Sequence, residues 1–190
     1  MTQKEYASKL ISAFYAEFGM EREYYDFAPK TSNPAYNLYA GVFRITIVPK
    51  NANFILKLGK TDTGDVQNEN ETRVYRLAQE QNLQHWFAKP LFVVNAGLYT
   101  WHAYEKAYFI GEAGQSPLKE KEVSDEIVEH YCSALYTDEI DEWPHYIAHE
   151  KVVNRLIDFF EGYGINDLHD GNWGYSKRAH HLIFTDYAGC

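Results

Sequence analysis

Polar and apolar positions alternate along this chain in two distinct periods. Over residues 4–18, Leu10, Ile11, Phe14, Tyr15 and Phe18 recur at spacings of three and four, which predicts a helix with one apolar stripe, closed by Gly19. After a stretch interrupted by Pro29 and Pro34, the period falls to two. Tyr39, Val42, Phe43, Ile45, Ile47 and Val48 precede a turn at 50–53, and Phe54-Ile55-Leu56-Lys57-Leu58 returns before Gly59, predicting two or three antiparallel strands over 36–58. Residues 61–65 read as a loop. A helix follows over 66–81, with Val74, Leu77 and Ala78 facing inward, and then strands at 91–95 and 98–104 split by Ala96-Gly97.

Gly111, Gly114 and Pro117 mark a connector. Beyond it the periodicity predicts helices over 119–136 and 145–163, the second resting on Val153, Leu156, Ile157 and Phe160 and broken by Gly162 and Gly164. The chain closes with a turn at Lys177-Arg178 and a strand at 182–185. No internal repeat and no low-complexity segment is evident. This order predicts an α+β fold with two layers of different character.

Composition narrows the function. The 190 residues are 45% hydrophobic and 24% charged, which fits a globular chain of one domain or one two-lobed unit and excludes wholesale disorder. The formal charge of -9 argues against a dedicated nucleic-acid or anionic-membrane binder, since both need a basic face for phosphates. No apolar run approaches the roughly 20 residues of a membrane span. The start lacks a signal-peptide layout, and two cysteines cannot make a disulfide framework, so a cytoplasmic protein is expected.

The densest chemistry lies near the C-terminus, where Asp167-Leu168-His169-Asp170-Gly171-Asn172 is followed by Leu182-Ile183-Phe184-Thr185-Asp186-Tyr187-Ala188-Gly189. Phosphoryl transfer needs a carboxylate to orient a hydroxyl and take its proton, and oxygen ligands to hold Mg²⁺ on nucleotide phosphates. An Asp followed five residues later by Asn can supply both, and an Asp directly after an apolar strand can supply a metal carboxylate. Asp167, Asn172 and Asp186 have that arrangement, with room for a short β-hairpin between the last two.

These residues resemble the catalytic-loop and metal-binding segments of the protein-kinase-like superfamily. The Asp-Leu-His-x-Gly-Asn form is closest to the aminoglycoside and small-molecule kinase branch, and is also similar to short bacteriophage-encoded protein kinases. The resemblance implies a minimal two-lobed kinase-like fold. Residues 1–105 would form a β-rich nucleotide-binding lobe with one inserted helix, and 106–190 a hinge and a reduced, mainly helical lobe. It makes Asp167 the catalytic base and Asn172 and Asp186 the Mg²⁺ ligands. Lys57, at the end of the third strand, would reach the ATP phosphates and pair with a Glu on the following helix. Glu71 shares a face with Val74, Tyr75 and Ala78, whereas Glu69 shares one with Thr72, Arg73 and Arg76, so Glu71 is the choice. The hinge would be residues 101–107, with the adenine held at Glu105 and Ala107.

Four departures bear on the activity. Ile165 stands two residues before Asp167, where the family often has His. Gly41 stands alone where a glycine-rich loop is expected, leaving Gly41 and Arg44 as the phosphate cover. His169 stands where protein kinases usually carry Lys, and a neutral imidazole is a poorer phosphate clamp. The chain has little room for a peptide-binding region after Gly189. The expected function is therefore an ATP- and Mg²⁺-dependent phosphotransferase acting on a hydroxyl of a protein or small molecule. The viral resemblance implies a host protein as target and the host cytoplasm as location. The alternative is a kinase-fold binding module that inhibits a host or partner protein without catalysis. His145 and His149 lie four apart, as metal ligands on a helix can, but Glu150 is out of place for a metalloprotease and the default is an exposed helix face. The acidic runs at 124–126 and 138–142 read as solvated surface, and Tyr24-Tyr25 as packing.

Overall fold

The computed structural model describes residues 1–20, 33–108, 150–165 and 172–187. The predicted helix 119–136, the acidic runs, Tyr24-Tyr25, His145, His149 and Asp167 lie outside the described residues. The fold is α+β: among the described residues there are three α-helices, a five-stranded antiparallel sheet and a three-stranded one. The chain divides into two compact units, 1–73 with 89–106, and 74–88 with 107–190.

In the first unit, helix α1 (Gln3–Phe18) starts on a capping box. Thr2 Oγ1 accepts from the Glu5 N–H at 3.2 Å and Glu5 Oε2 accepts from the Thr2 N–H at 2.7 Å, satisfying two otherwise orphaned donors. Gly19 ends the helix at φ +79°, where a side chain would be strained. Strands β1 (Tyr36–Ala40), β2 (Arg44–Pro49), β3 (Phe54–Gly59), β4 (Pro90–Ala96) and β5 (Tyr99–Glu105) form a sheet in the order β1-β2-β3-β5-β4. Gly97, at φ +64°, makes the tight turn between the last two in sequence. Ile45, Ile47, Leu56, Leu58, Trp101 and Ala103 are buried in one core with Leu10, Ile11 and Phe14 of α1. Trp101 donates its indole N–H to Tyr15 Oη at 2.9 Å and meets Phe14 edge-on. The intervening strand positions point to the opposite face, where the cross-strand register sets Thr46, Lys57 and His102 in one row.

Helix α2 (Asp62–Glu80) begins four residues before the expected start, inside the predicted loop 61–65. Thr61 Oγ1 accepts from the Gly64 N–H at 3.3 Å, and Asp62 and Asp65 place negative charge in the first turn. Gly64 is there for space, not for a turn: a Cβ on it would sit 2.1 Å from the Phe43 carbonyl oxygen and 2.8 Å from Gly59 Cα. Gly59 is equally closed, since its Cβ would fall 2.4 Å from the Asp65 backbone nitrogen. The start of α2 thus rests directly on the end of β3.

The second unit gathers the last turns of α2, a 3₁₀ turn (Gln84–Trp86), α3 (Glu150–Tyr163), and the sheet β6 (Ala107–Tyr108), β7 (Trp173–Ser176), β8 (His181–Phe184). The predicted C-terminal hairpin is present, and β6 adds a third strand to it that the sequence pattern does not announce. Its core is aromatic: the Phe184 ring lies 3.7 Å from Trp173, 4.7 Å from Phe160 and 5.4 Å from Phe87, centroid to centroid. The buried Tyr187 hydroxyl donates to the Ala88 carbonyl at 2.9 Å. In the hairpin turn His180 adopts φ +59°, and Ser176 Oγ accepts the Arg178 and Ala179 N–H groups. Among the described residues no helix is long and apolar enough to cross a membrane.

Candidate functional site

The open face of the five-stranded sheet carries a buried polar cluster. Lys57 comes from β3, flanked by Leu56 and Leu58, which point the other way into the apolar core. Opposite it, α2 turns Gln67, Asn68 and Glu71 inward, all 8% exposed or less. Lys57 Nζ donates to Glu71 Oε1 at 2.7 Å. Arg44, the first residue of β2, donates from Nη1 to the same oxygen at 2.8 Å and lies 3.4 Å from Asn68 Oδ1. Tyr104 of β5 closes the group: its hydroxyl donates to the Asn68 carbonyl at 2.9 Å, and its ring lies 5.0 Å beneath Lys57 Nζ.

The burial is severe. Relative exposure is 4% for Lys57, 0% for Glu71 and 7% for Arg44. Taking such charges out of water costs several kcal/mol each, and their mutual attraction rarely returns more than that. The cluster therefore adds little net stability, and buried charge clusters of this kind gather at functional sites. The surroundings are perturbed accordingly. Burial, and then the Glu71 charge, push the Tyr104 hydroxyl well above the usual phenol range. Burial also lowers the His102 imidazole; Glu69 and Asp65 oppose that shift, and Arg44 and Lys57 reinforce it.

The expected pairing of Lys57 with Glu71 is present, and the helix-face argument selects the right carboxylate: Glu69 is exposed. Gly41 and Arg44 stay joined through the backbone, but the Arg44 side chain leads away from Gly41. Residues 41–43 form a short turn, with Val42 76% and Phe43 42% exposed, and it is tied down. The Gly41 N–H donates to the Arg44 carbonyl at 2.8 Å, the Lys60 N–H to the Phe43 carbonyl at 2.8 Å, and Lys60 Nζ to the Gly41 carbonyl at 3.0 Å. The Arg44 side chain runs to α2. Glu105 ends β5; its N–H donates to the Lys89 carbonyl at 2.8 Å, and its Oε2 accepts from the Lys89 N–H at 3.3 Å. Ala107 belongs to the second unit and pairs with Ser176.

Asn172 and Asp186 also belong to the second unit and flank the β7–β8 hairpin as expected. The Thr185 N–H donates to the Asn172 carbonyl at 2.7 Å, which holds the hairpin's two ends together. Their side chains offer an amide oxygen and a carboxylate, hard donors of the kind that suit Mg²⁺. Asn68 and Tyr104 are the members of the polar cluster that sequence reasoning missed. The signal for Asn68 was its place three residues before Glu71 on the same stripe; for Tyr104 it was the alternation with His102.

No protein-family model matches the chain, and no curated protein matches it.

Proposed function

We propose that the chain is an ATP- and Mg²⁺-dependent phosphotransferase with a reduced protein-kinase-like fold, acting on a hydroxyl of a protein or small molecule. The carrying observation is the buried Lys57–Glu71 pair, a strand lysine held by a helix carboxylate in a buried polar cluster, an arrangement that rarely repays its desolvation cost in net stability. In this reading Lys57 orients the nucleotide phosphates and Glu71 fixes its ammonium. Asn172 and Asp186 would hold Mg²⁺, which when bound neutralises charge on the phosphate oxygens. Asp167 orients the acceptor and takes its proton as the hydroxyl oxygen bonds to the γ-phosphorus. The bond from that phosphorus to the β,γ-bridging oxygen breaks, and ADP leaves with the electron pair. Positioning and charge neutralisation then carry most of the rate.

The binding-module alternative is favoured by one feature, the tied-down turn at 41–43, which lacks the glycines of a phosphate-covering flap. Labelled ATP with Mg²⁺ and cell lysate separates the two. The parent should transfer label to itself or to a lysate component, Asp167→Ala should lose transfer while keeping nucleotide binding, and Asp186→Ala should lose Mg²⁺-dependent binding. Absence of any MgATP-dependent thermal stabilisation of the parent, or full transfer by both variants, overturns the proposal.

A further inference from the structure

The kinase-like resemblance offers Arg44 as help in phosphate cover, but its side chain reaches Asn68 and Glu71. It opens β2 directly opposite Gly59 in the register. With no side chain at Gly59 and the first turn of α2 resting on it, a long side chain from Arg44 has a path along the helix. It reaches Asn68 and Glu71, one turn apart on the same face. Asn68 is fully buried and directs its amide oxygen at the guanidinium, while its Nδ2 has no hydrogen-bond partner among the described residues. The reverse orientation would set two donors against each other, so Arg44 fixes the amide at the cost of an orphaned N–H.

Two cations from two neighbouring strands therefore meet at one carboxylate oxygen, Lys57 at 2.7 Å and Arg44 at 2.8 Å. A Glu side chain held by one lysine keeps torsional freedom. Held by a planar guanidinium as well, it has less. We propose that Arg44 is a positioning residue: by gripping Glu71 Oε1 it fixes where the Lys57 ammonium sits, and it acts on a bound polyphosphate only through Glu71. The nucleotide arm of the test below rests on the proposed function; the spectroscopic arm does not.

Five proteins decide it: the parent, Arg44→Met, Glu71→Gln, the double variant of those two, and Lys57→Met for assignment. In the ligand-free protein, the ¹³Cε signal of Lys57, assigned by its loss in Lys57→Met, should move in Arg44→Met in the direction it moves in Glu71→Gln. In MgATP titrations, Arg44→Met should weaken binding roughly tenfold, the scale of one charge-assisted hydrogen bond, and leave adenosine binding unchanged. In the Glu71→Gln background the same substitution should add less than about twofold, as two changes on one path do. A Lys57 signal unmoved by Arg44→Met overturns the proposal. So does an undiminished loss of affinity in the double variant, which would put Arg44 directly on the phosphates. A parent that binds no MgATP while the Lys57 signal still follows Arg44 removes the nucleotide reading and leaves the positioning role standing. If Arg44→Met does not fold, Arg44→Lys, which keeps the charge and loses the planar fork, takes its place with the same expected displacement.

Discussion

The two halves of α2 are built on opposite terms. In the first unit its inward residues are Gly64, Gln67, Asn68 and Glu71; in the second they are Val74, Tyr75 and Ala78, all buried. The second half joins an aromatic core and stabilises in the ordinary way, by removing apolar area from water. The first half spends the same geometry on charges and amides, which return little net stability. One helix thus carries a buried polar face in its first half and a buried apolar face in its second.

That contrast can be tested from the strong end downward. Phe184→Ala, in the aromatic core, should cost about 3–5 kcal/mol in urea unfolding, because the rings around it cannot close the cavity. A loss below about 1 kcal/mol would mean that this core is not well packed. In the polar half, Glu71→Leu alone should cost a comparable 3–5 kcal/mol by leaving buried cations short of a carboxylate. Replacing all three charges together (Arg44→Met, Lys57→Met, Glu71→Leu) should instead be neutral or stabilising by roughly 1–4 kcal/mol, with nucleotide binding lost. A triple variant less stable than Glu71→Leu would show that the cluster is structural after all.

Gly64→Ala offers a finer probe. Alanine would raise helix propensity by about 0.5–1 kcal/mol, but the Phe43 carbonyl stands where its Cβ must go, and a net loss of about 1–3 kcal/mol is expected by thermal unfolding. A net gain would mean the helix start can lift off β3.

The smallest expected effect is on pH dependence. His102 has a folded pKa below its unfolded value. Its neutral form's contribution is therefore complete above the unfolded pKa, and is lost as the pH falls through and below that value. The parent should lose more stability than His102→Gln between pH 7 and pH 5. Parallel curves would show that the imidazole is indifferent to its surroundings.

Much of the first unit was legible because one sheet face is buried against α1, so the period-two pattern of Ile45, Ile47, Leu56 and Leu58 was clean. The start of α2 was not. Thr61-Asp62-Thr63-Gly64-Asp65 has the composition of a turn, and only the close approach of Gly59 and the Phe43 carbonyl explains the glycine. Glu71 was readable from its helix face. The destination of Arg44 was not, because it depends on a register that sets Arg44 opposite a glycine, a fact of tertiary pairing. Strand β6 escaped for the same reason: two residues gain strand character only by pairing with β7.

The distribution of indole rings has a practical use. Trp101 is buried in the first unit against Tyr15 and Phe14, while Trp86 and Trp173 belong to the second. With Trp86, Trp143 and Trp173 replaced by phenylalanine, the emission of Trp101 becomes an optical gauge of the first unit alone. Comparing its melting curve with that of a Trp101→Phe protein would reveal whether the halves come apart in one step or two.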